Sequence, residues 1–470
     1  LVQVNNLFGR RVIYTDADEI TDENIVDELN KVLAVHSFNR AEIDYLYNYY
    51  KGNQPILTRK KEVRPEINNK VVVNRANEIV SFRVGYLVGS PIQYVSIDEN
   101  DINPEINRFN KFLLDENKAE KDKQLVTWSE ICGTSYRIAL PVSDREEDEA
   151  PFEIYTLDPR SSFVVYHSGL GNKPMMAGIT LTHDNGSTRH CVYTPSVYYE
   201  ILDGLIVKRE EHFLGDIPII EYPANSARLG AFEIVIGLLD AINTVESNRI
   251  DGIEQFVQAL LVLKGVNLEG EEYNSLRENG GLSIPLDADA KYLVQELNQT
   301  ETQKLIDDMY STVLTICGMP NRNGGSSTSD TGAAVIMRDG WENAEARAKD
   351  AESIFKQSDR QFLKLIVRYT NFICNMKLRA SSIDPRFTRK YYGNTLEKVQ
   401  VLTLMLNNDK IHPRLAFEHS GMFADPEFAY TLSKEYREKH IAEQLKELTE
   451  LSKKRATDTR TVIEAGQADV

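Results

Sequence analysis

Basic residues are in the minority, cysteine is scarce and long apolar runs are missing from this 470-residue chain, and each shortage closes off a class of function. Lys and Arg number 54 against 71 Asp and Glu, a formal net charge of −17. Affinity for nucleic acid comes mainly from Lys and Arg displacing condensed counterions, so a broad phosphate-gripping surface is not expected. The four cysteines, Cys132, Cys191, Cys317 and Cys374, stand more than fifty residues apart. That spacing fits neither a zinc motif nor a disulfide framework and suits a reducing, intracellular setting. The best candidate span, FEIVIGLLDAINTV, is interrupted by Asp240 and Asn243, short of the roughly 18 apolar residues that signal a membrane helix. The stretch LVQVNNLFGRRVIY lacks the basic-then-apolar order of a secretion signal.

Catalytic signatures are missing too. HExxH and Gly-x-Ser-x-Gly do not occur, and no Cys or His stands in a nucleophilic motif. Asp307 and Asp308 are adjacent, so on a helix their side chains diverge by about 100° and do not converge on a divalent metal. His183, Asp184, His190 and Cys191 flank an Asp-Asn-Gly hairpin turn. Alternate strand faces would separate His190 from Cys191, and no metal site is expected there. Gly85 and Gly89 lie within and at the end of a helical stripe, whereas a phosphate cradle opens one. No cofactor is called for.

With 41% hydrophobic and 27% charged residues, the chain reads as an ordinary folded protein of roughly two to four structural regions. The dominant feature spans 229 to 317. Phe232, Val235, Leu239, Ile242, Val245, Ile253, Phe256 and Leu260 recur at three- and four-residue steps and predict a helix over 232 to 263, about 45 to 50 Å long if unbroken. Thr300 and Gln303 form a capping box at the start of a second helix, which Gly318 and Pro320 end. Between the two lies an insert, 264 to 298. A short helix from Glu271 to Glu278, the turn Asn279-Gly280-Gly281 and two strands, LSIPL and KYLVQEL, are expected in it.

Upstream, a helix over 21 to 50 ends in a tyrosine cluster (Tyr45, Tyr47, Tyr49, Tyr50). With no interleaved cations, that cluster reads as a buried contact. A second helical stripe runs from Val73 to Leu87, and further helices begin at Pro104 and end at Gly133. From Thr134 to Tyr222 the period becomes two, which predicts an antiparallel β-region carrying the charged loop DREEDEAPFE. Downstream, Arg322 to Gly332 is a polar Gly/Ser/Thr-rich loop without the Lys of a nucleotide-binding loop. Residues recurring every seven, from Ala334 and Trp341 through Phe355 and Phe362, with Ala344, Leu365 and Phe372 beside them, predict a long helix near 331 to 378. Shorter helices broken at Pro413 and Pro426 follow. The tail from Glu427 to Lys454 is amphipathic, with Ile441, Leu445, Leu448 and Leu451 on one face. The fold class is therefore α+β and mainly helical.

Four collinear stretches carry a resemblance: NNKVVVNRANEIVSFRVGYLVGSPIQY, LDPRSSFVVYHSGL, GDIPIIEYPANSARLGAFEIVIGLLDAINTVESNRIDGIEQFVQALLVLKGV and SSTSDTGAAVIMRDGWENAEARAKD. Together with the order helix, insert, helix, loop, long helix, they resemble the portal proteins of tailed double-stranded DNA bacteriophages of the long-tailed type. The resemblance implies a non-enzymatic ring, usually of twelve subunits, at one capsid vertex of the virion. It would be assembled in the host cytoplasm and would serve genome packaging, retention and ejection. It divides the chain into a wing (1–228), a stem helix (229–263), a clip (264–298), a second stem helix (299–318), a tunnel loop (319–332), the long helix with the rest of the wing (333–394) and a helical crown (395–470). Arg322, Asn323, Gly324, Gly325, Ser326, Ser327, Thr328 and Ser329 would line the DNA constriction. Glu269, Glu271, Glu272, Tyr273, Arg277, Asp287 and Asp289 of the clip would dock the terminase large subunit and later the head-completion or adaptor protein. Other implied partners are double-stranded DNA and the major capsid and scaffolding proteins, with no membrane involved. An acidic bore would repel phosphates, which lets DNA slide rather than stick. A DNA-processing enzyme subunit and a non-channel head scaffold or connector are the competing readings.

Overall fold

A computed structural model describes residues 9–97, 104–142, 144–182, 186–257, 260–264, 289–293, 299–321, 340–389, 395–423 and 426–466. In chain order the elements are β1 (Ile13–Thr15), α1 (Ile25–Tyr50), α2 (Arg75–Val88), β2 (Gln93–Ser96), α3 (Pro104–Asp115), α4 (Lys118–Cys132) and β3 (Thr134–Pro141). Then come β4 (Phe152–Leu157), β5 (Ser162–His167), β6 (Pro174–Thr182), β7 (Thr188–Tyr193), β8 (Val197–Leu202), β9 (Leu205–Glu211) and β10 (Ile219–Pro223). The remaining elements are α5 (Ile236–Val257), β11 (Leu260–Lys264), β12 (Asp289–Leu293), α6 (Gln299–Cys317), α7 (Trp341–Cys374), β13 (Ile383–Arg386), α8 (Thr395–Leu406), α9 (Pro413–Ser420) and α10 (Pro426–Gly466).

Stop signals fall where local chemistry puts them. Gly133 follows α4 at φ +82° and Gly318 follows α6 at φ +66°, left-handed positions that glycine adopts without a Cβ penalty. Asn74 caps α2 through Asn77 N–H, and Pro413 opens α9 behind His412. The β-region divides into a six-stranded sheet of order β1-β5-β6-β7-β8-β9 and a three-stranded sheet of order β10-β3-β4. It is not wholly antiparallel, because β1 pairs with β5 in parallel register, Ile13 opposite Val165. The first half of α1 packs on the six-stranded sheet through Ile25, Leu29 and Val32, and a further core of Tyr136, Ile138, Val164, Ala177 and Ile219 joins the two sheets. The three-stranded sheet carries α3, α4 and α7 around Phe109, Phe152, Tyr222 and Phe362.

Three expectations change. The first long helix ends at Val257, so α5 is about 33 Å long. Leu260 to Lys264 is instead an extended apolar ribbon, paired antiparallel with Asp289 to Leu293. Of the two strands expected in the insert, KYLVQEL contributes its first three residues to β12, while LSIPL and the 271–278 helix lie outside the described residues. At the second stem helix, Thr300 lies one residue inside α6 rather than at its cap. The seven-residue seam of α7 buries Ala344, Ala348, Phe355, Phe362, Leu365 and Tyr369, yet Phe372 leaves it and is 89% exposed. Cys374, two residues on, still packs against that core, and Asn375 ends the helix in the left-handed region.

Candidate channel-forming site

The two helices expected to form the stem, α5 and α6, pair with each other. Leu239 and Ile242 of α5 share one core with Val313, Leu314 and Cys317 of α6, and Arg249 reaches across to Gln299 (2.7 Å) and Gln303 (2.8 Å). About 160° around α5 from Arg249, at 100° per residue, lies Ser247, on a polar stripe that is buried rather than solvated. Asn243, Ser247 and Asp251 stand four residues apart and are nearly inaccessible. Each accepts a backbone N–H from the extended segment before α2: Val73 N–H on Asn243 (2.8 Å), Val71 N–H on Ser247 (3.0 Å) and Asn69 N–H on Asp251 (2.7 Å). Two extended residues advance about 6.6 Å and four helical residues 6.0 Å, so the two periods stay in step over three contacts.

This strap is locked at both ends. Lys61 (3.0 Å) and Arg59 (3.3 Å) pair with Asp251, while Gln54 joins Asn243 to Asn74. Burial pushes the Asp251 carboxyl upward, but Asn69 and Lys61 outweigh it and hold the group below its ordinary range. Sequence reading took Asn243 only as an interruption of an apolar run and gave Asp251 no role. Their four-residue spacing opposite NNKVVVN was the available signal.

Where stem meets wing the backbone is welded. A Cβ on Gly9 would lie 1.8 Å from Ala227 O, on Gly133 1.9 Å from Arg228 O, and on Gly230 2.4 Å from Ile131 O. Such approaches are open only to glycine. Buried Arg10 pins the joint by pairing with Glu233 (2.6 Å) and Glu42 (3.0 Å). Beside it, Glu221 accepts from Arg228 (2.6 Å), Tyr166 (2.8 Å) and Thr134 (2.9 Å), which together keep its carboxyl low against the opposing effect of burial. The tyrosine cluster belongs to this joint. Tyr49 is fully buried and donates to Asp240 (2.9 Å), and Tyr47 stacks on Trp128.

α7 is anchored to the wing by a buried ionic knot. Asp359, with no exposed surface, accepts from Tyr94 (2.7 Å) and Tyr222 (3.1 Å) and faces Arg137 (3.7 Å) and Lys118 (3.9 Å). Asp122 pairs with Lys118 (2.8 Å) and with Arg137. Two cations thus meet two carboxylates in a fully buried region, and Phe362 lies under both cations.

The two segments that sequence assigned to function are framed by these elements. Residues 265–288 leave and return through the β11–β12 ribbon, with Lys264 opposite Asp289. Glu269, Glu271, Glu272, Tyr273, Arg277 and Asp287 lie outside the described residues, and of Asp289 only the backbone pairing is described. Arg322, Asn323, Gly324, Gly325, Ser326, Ser327, Thr328 and Ser329 also lie outside them. The described flanks of that loop meet. A Cβ on Gly340 would lie 3.9 Å from Met319 O, and Arg347 reaches the end of α6 at Ile316 O (3.5 Å). A small cavity at this junction is lined by Arg83, Glu130, Gly318, Arg347 and Ala348. Burial raises the Glu130 carboxyl there despite Arg83 at 3.1 Å.

Elsewhere, His190 bonds Thr180 (3.0 Å) across β6 and β7, and among the described residues no His, Cys, Asp and Glu gather as metal ligands would. No described helix is long and apolar enough to cross a membrane.

No curated protein matches the chain. Among solved structures it is similar to a chain in the neck of an empty gene transfer agent particle, at 11% identity and TM-score 0.42, over 74% of this chain and 90% of that one. It is equally distant from a chain of the native gene transfer agent virion, at 11% identity and TM-score 0.43, over 74% and 89%. Likenesses so remote add nothing to what the family comparison gives. The family described as phage portal protein, SPP1 Gp6-like, matches residues 29–458, all but the two ends, and the chain belongs to that family of portal proteins.

Proposed function

We propose that this portal protein closes into a ring whose lumen conducts double-stranded DNA at one vertex of a capsid, with α5 and α6 as the wall of the channel. The observation that carries the reading is the pair of excursions the stem supports, one through the β11–β12 ribbon and one between the meeting ends of α6 and α7. Residues 264–298 act as the clip that docks the terminase large subunit during packaging and an adaptor protein afterwards. Residues 319–332 act as the tunnel loop. Its composition supports that role, since Ser326, Ser327 and Thr328 are small and polar, and Gly324 and Gly325 admit backbone conformations closed to other residues. Arg322 is the one cation of this segment and would touch phosphate if it faces the lumen. The crown, 395–470, faces the capsid interior, and the wing meets the major capsid and scaffolding proteins. A chain of charge −17 repeated around a ring gives a bore that repels DNA, so strand movement meets no sticky wall.

The test is electron microscopy of the purified protein with particle mass measured in parallel. Rings with a central opening and a mass near twelve subunits are expected, with no ATP turnover by the ring itself. A monomer or closed dimer across a range of salt overturns the channel reading.

A further inference from the structure

The exposed Phe372 continues a stripe. Arg360, Lys364, Arg368 and Phe372 follow at four-residue steps along the solvent side of α7, all four exposed. The last three line an open groove with Val367, Asn371 and Ala380. Arg368 donates to Leu214 O, which brings the 98% exposed Phe213 to the same surface. Asp216 is exposed in that loop and does not cancel three cations. In a chain of charge −17, a cationic face with two open aromatic rings is out of character, and such pairs of Arg and aromatic side chains are typical anchors of protein interfaces.

The opposite character stands on the other side of the same helix end. The loop Asp144 to Glu149 carries five acids, all exposed, and its Arg145 is turned inward to donate to Glu146 O, Glu147 O and Glu149 O and to Cys374 of α7 (2.9 Å). Cys374 lies about 160° around α7 from Phe372 at 100° per residue. Leu114, 79% exposed, is the penultimate residue of α3 beside this loop, where Asp115 accepts Ala150 N–H (2.9 Å). One wing therefore presents a cationic, aromatic surface on one flank and an anionic surface with an apolar residue on the other. A contact that repeats head to tail needs complementary surfaces on opposite flanks, and it closes into a ring when the rotation allows.

We propose that the basic stripe Arg360–Phe372 of one copy receives the acidic loop Asp144–Glu149 of the next, and that this pairing guides and holds neighbouring wings in the ring. The proposal rests on the ring reading above. Charge pairing at such a surface sets register and the rate of encounter, and salt screens it over about 8 to 10 Å at 0.1 to 0.15 M.

The experiment compares four full-length proteins by native mass measurement and electron microscopy: wild type, Arg360→Glu/Lys364→Glu, Glu146→Lys/Glu147→Lys, and the combination of all four changes. Every altered side chain is exposed, and circular dichroism checks that each variant is folded. Each charge reversal alone is expected to lower the ring fraction at least tenfold at 0.1 M salt, and the combination to restore most of it. Rings that persist in both single reversals overturn the pairing while leaving the ring reading intact. Loss of rings in either reversal without recovery in the combination also overturns it, because the two surfaces would then meet other partners, such as an acidic segment of another protein or DNA. A wild type that forms no ring fails at the earlier step and is recognised as such.

Discussion

Removing the charge of Asp359 without changing its shape tests whether the ionic knot fixes α7 to the wing. The native cluster is neutral, with Asp122 and Asp359 against Lys118 and Arg137. Asp359→Asn keeps an acceptor for one tyrosine but leaves one excess positive charge in a region with no exposed surface. Breaking a buried ion pair from one side costs about 3 to 5 kcal/mol, because the surviving charge is neither paired nor hydrated. For a cooperative unit of roughly 150 to 250 residues, 1 kcal/mol moves the melting temperature by about 2 to 4 °C. The variant should therefore melt roughly 6 to 20 °C below wild type when followed by circular dichroism.

Arg137→Met in the same chain restores neutrality, leaving Lys118 with Asp122, and should recover part of the loss. The coupling between the two changes is expected to exceed about 1 kcal/mol, as for residues sharing one network. A shift below about 2 °C for Asp359→Asn would refute the reasoning. So would a double variant whose loss equals the sum of the two single losses, since the cluster would then be four side chains that happen to be close.

Three further outcomes are expected. Asn243→Leu leaves Val73 N–H and the Gln54 Oε1 acceptor unpaired against a buried helix face and should cost about 2 to 4 kcal/mol, read as faster amide exchange over residues 69–73. The Asp251 carboxyl is held below its ordinary value of about 3.9, so its contribution is complete above that pH and is lost as pH falls through the lower folded value. Strap protection should therefore hold at neutral pH and fade only as pH falls below the ordinary carboxylate range in wild type, and stay flat with pH in Asp251→Asn, which lacks the titrating group. Gly133→Ala forces a Cβ to within 1.9 Å of Arg228 O at a φ of +82° and should cost more than about 3 kcal/mol, measured as a lower melting temperature.

The features legible in the sequence are the ones that local chemistry fixes. Gly133, Gly318, Pro413 and Pro426 set helix boundaries by their own backbone limits, and β4 alternates buried with open residues because one of its faces is covered, whereas β3 and the start of β5 are buried on both. The missed strands show the opposite case. β9 reads LIVKREE and is exposed along nearly its whole length, so it has no alternation to see and exists through its ladder with β8. β1 is three residues long and depends on a parallel partner some 150 residues away. Buried polar groups were the hardest to read, since Asn243, Ser247, Asp251 and Asp359 look like surface residues until their partners from strap and wing are known. The tunnel-loop and clip residues were named through family resemblance rather than by any pattern of their own, and all but Asp289 lie outside the described residues.

That division bears on how a channel of this kind works. The weld at Gly9, Gly133 and Gly230, the strap on α5 and the knot at Asp359 all join elements through backbone-tight or fully desolvated contacts, so each has a single low-energy arrangement. They fix the bases of both excursions: the ribbon at Lys264 and Asp289, and the junction of Met319 with Gly340. A rigid base sets where a loop starts but not what it touches. Composition along 319–332 and 264–298 can therefore change while the frame stays the same. The reverse does not hold, because displacing α7 by one turn would move the base of the loop by about 5.4 Å and bury Asp359 away from both tyrosines. Substitutions in the loops should thus alter packaging with assembly intact, whereas substitutions in the knot should remove the fold that assembly requires.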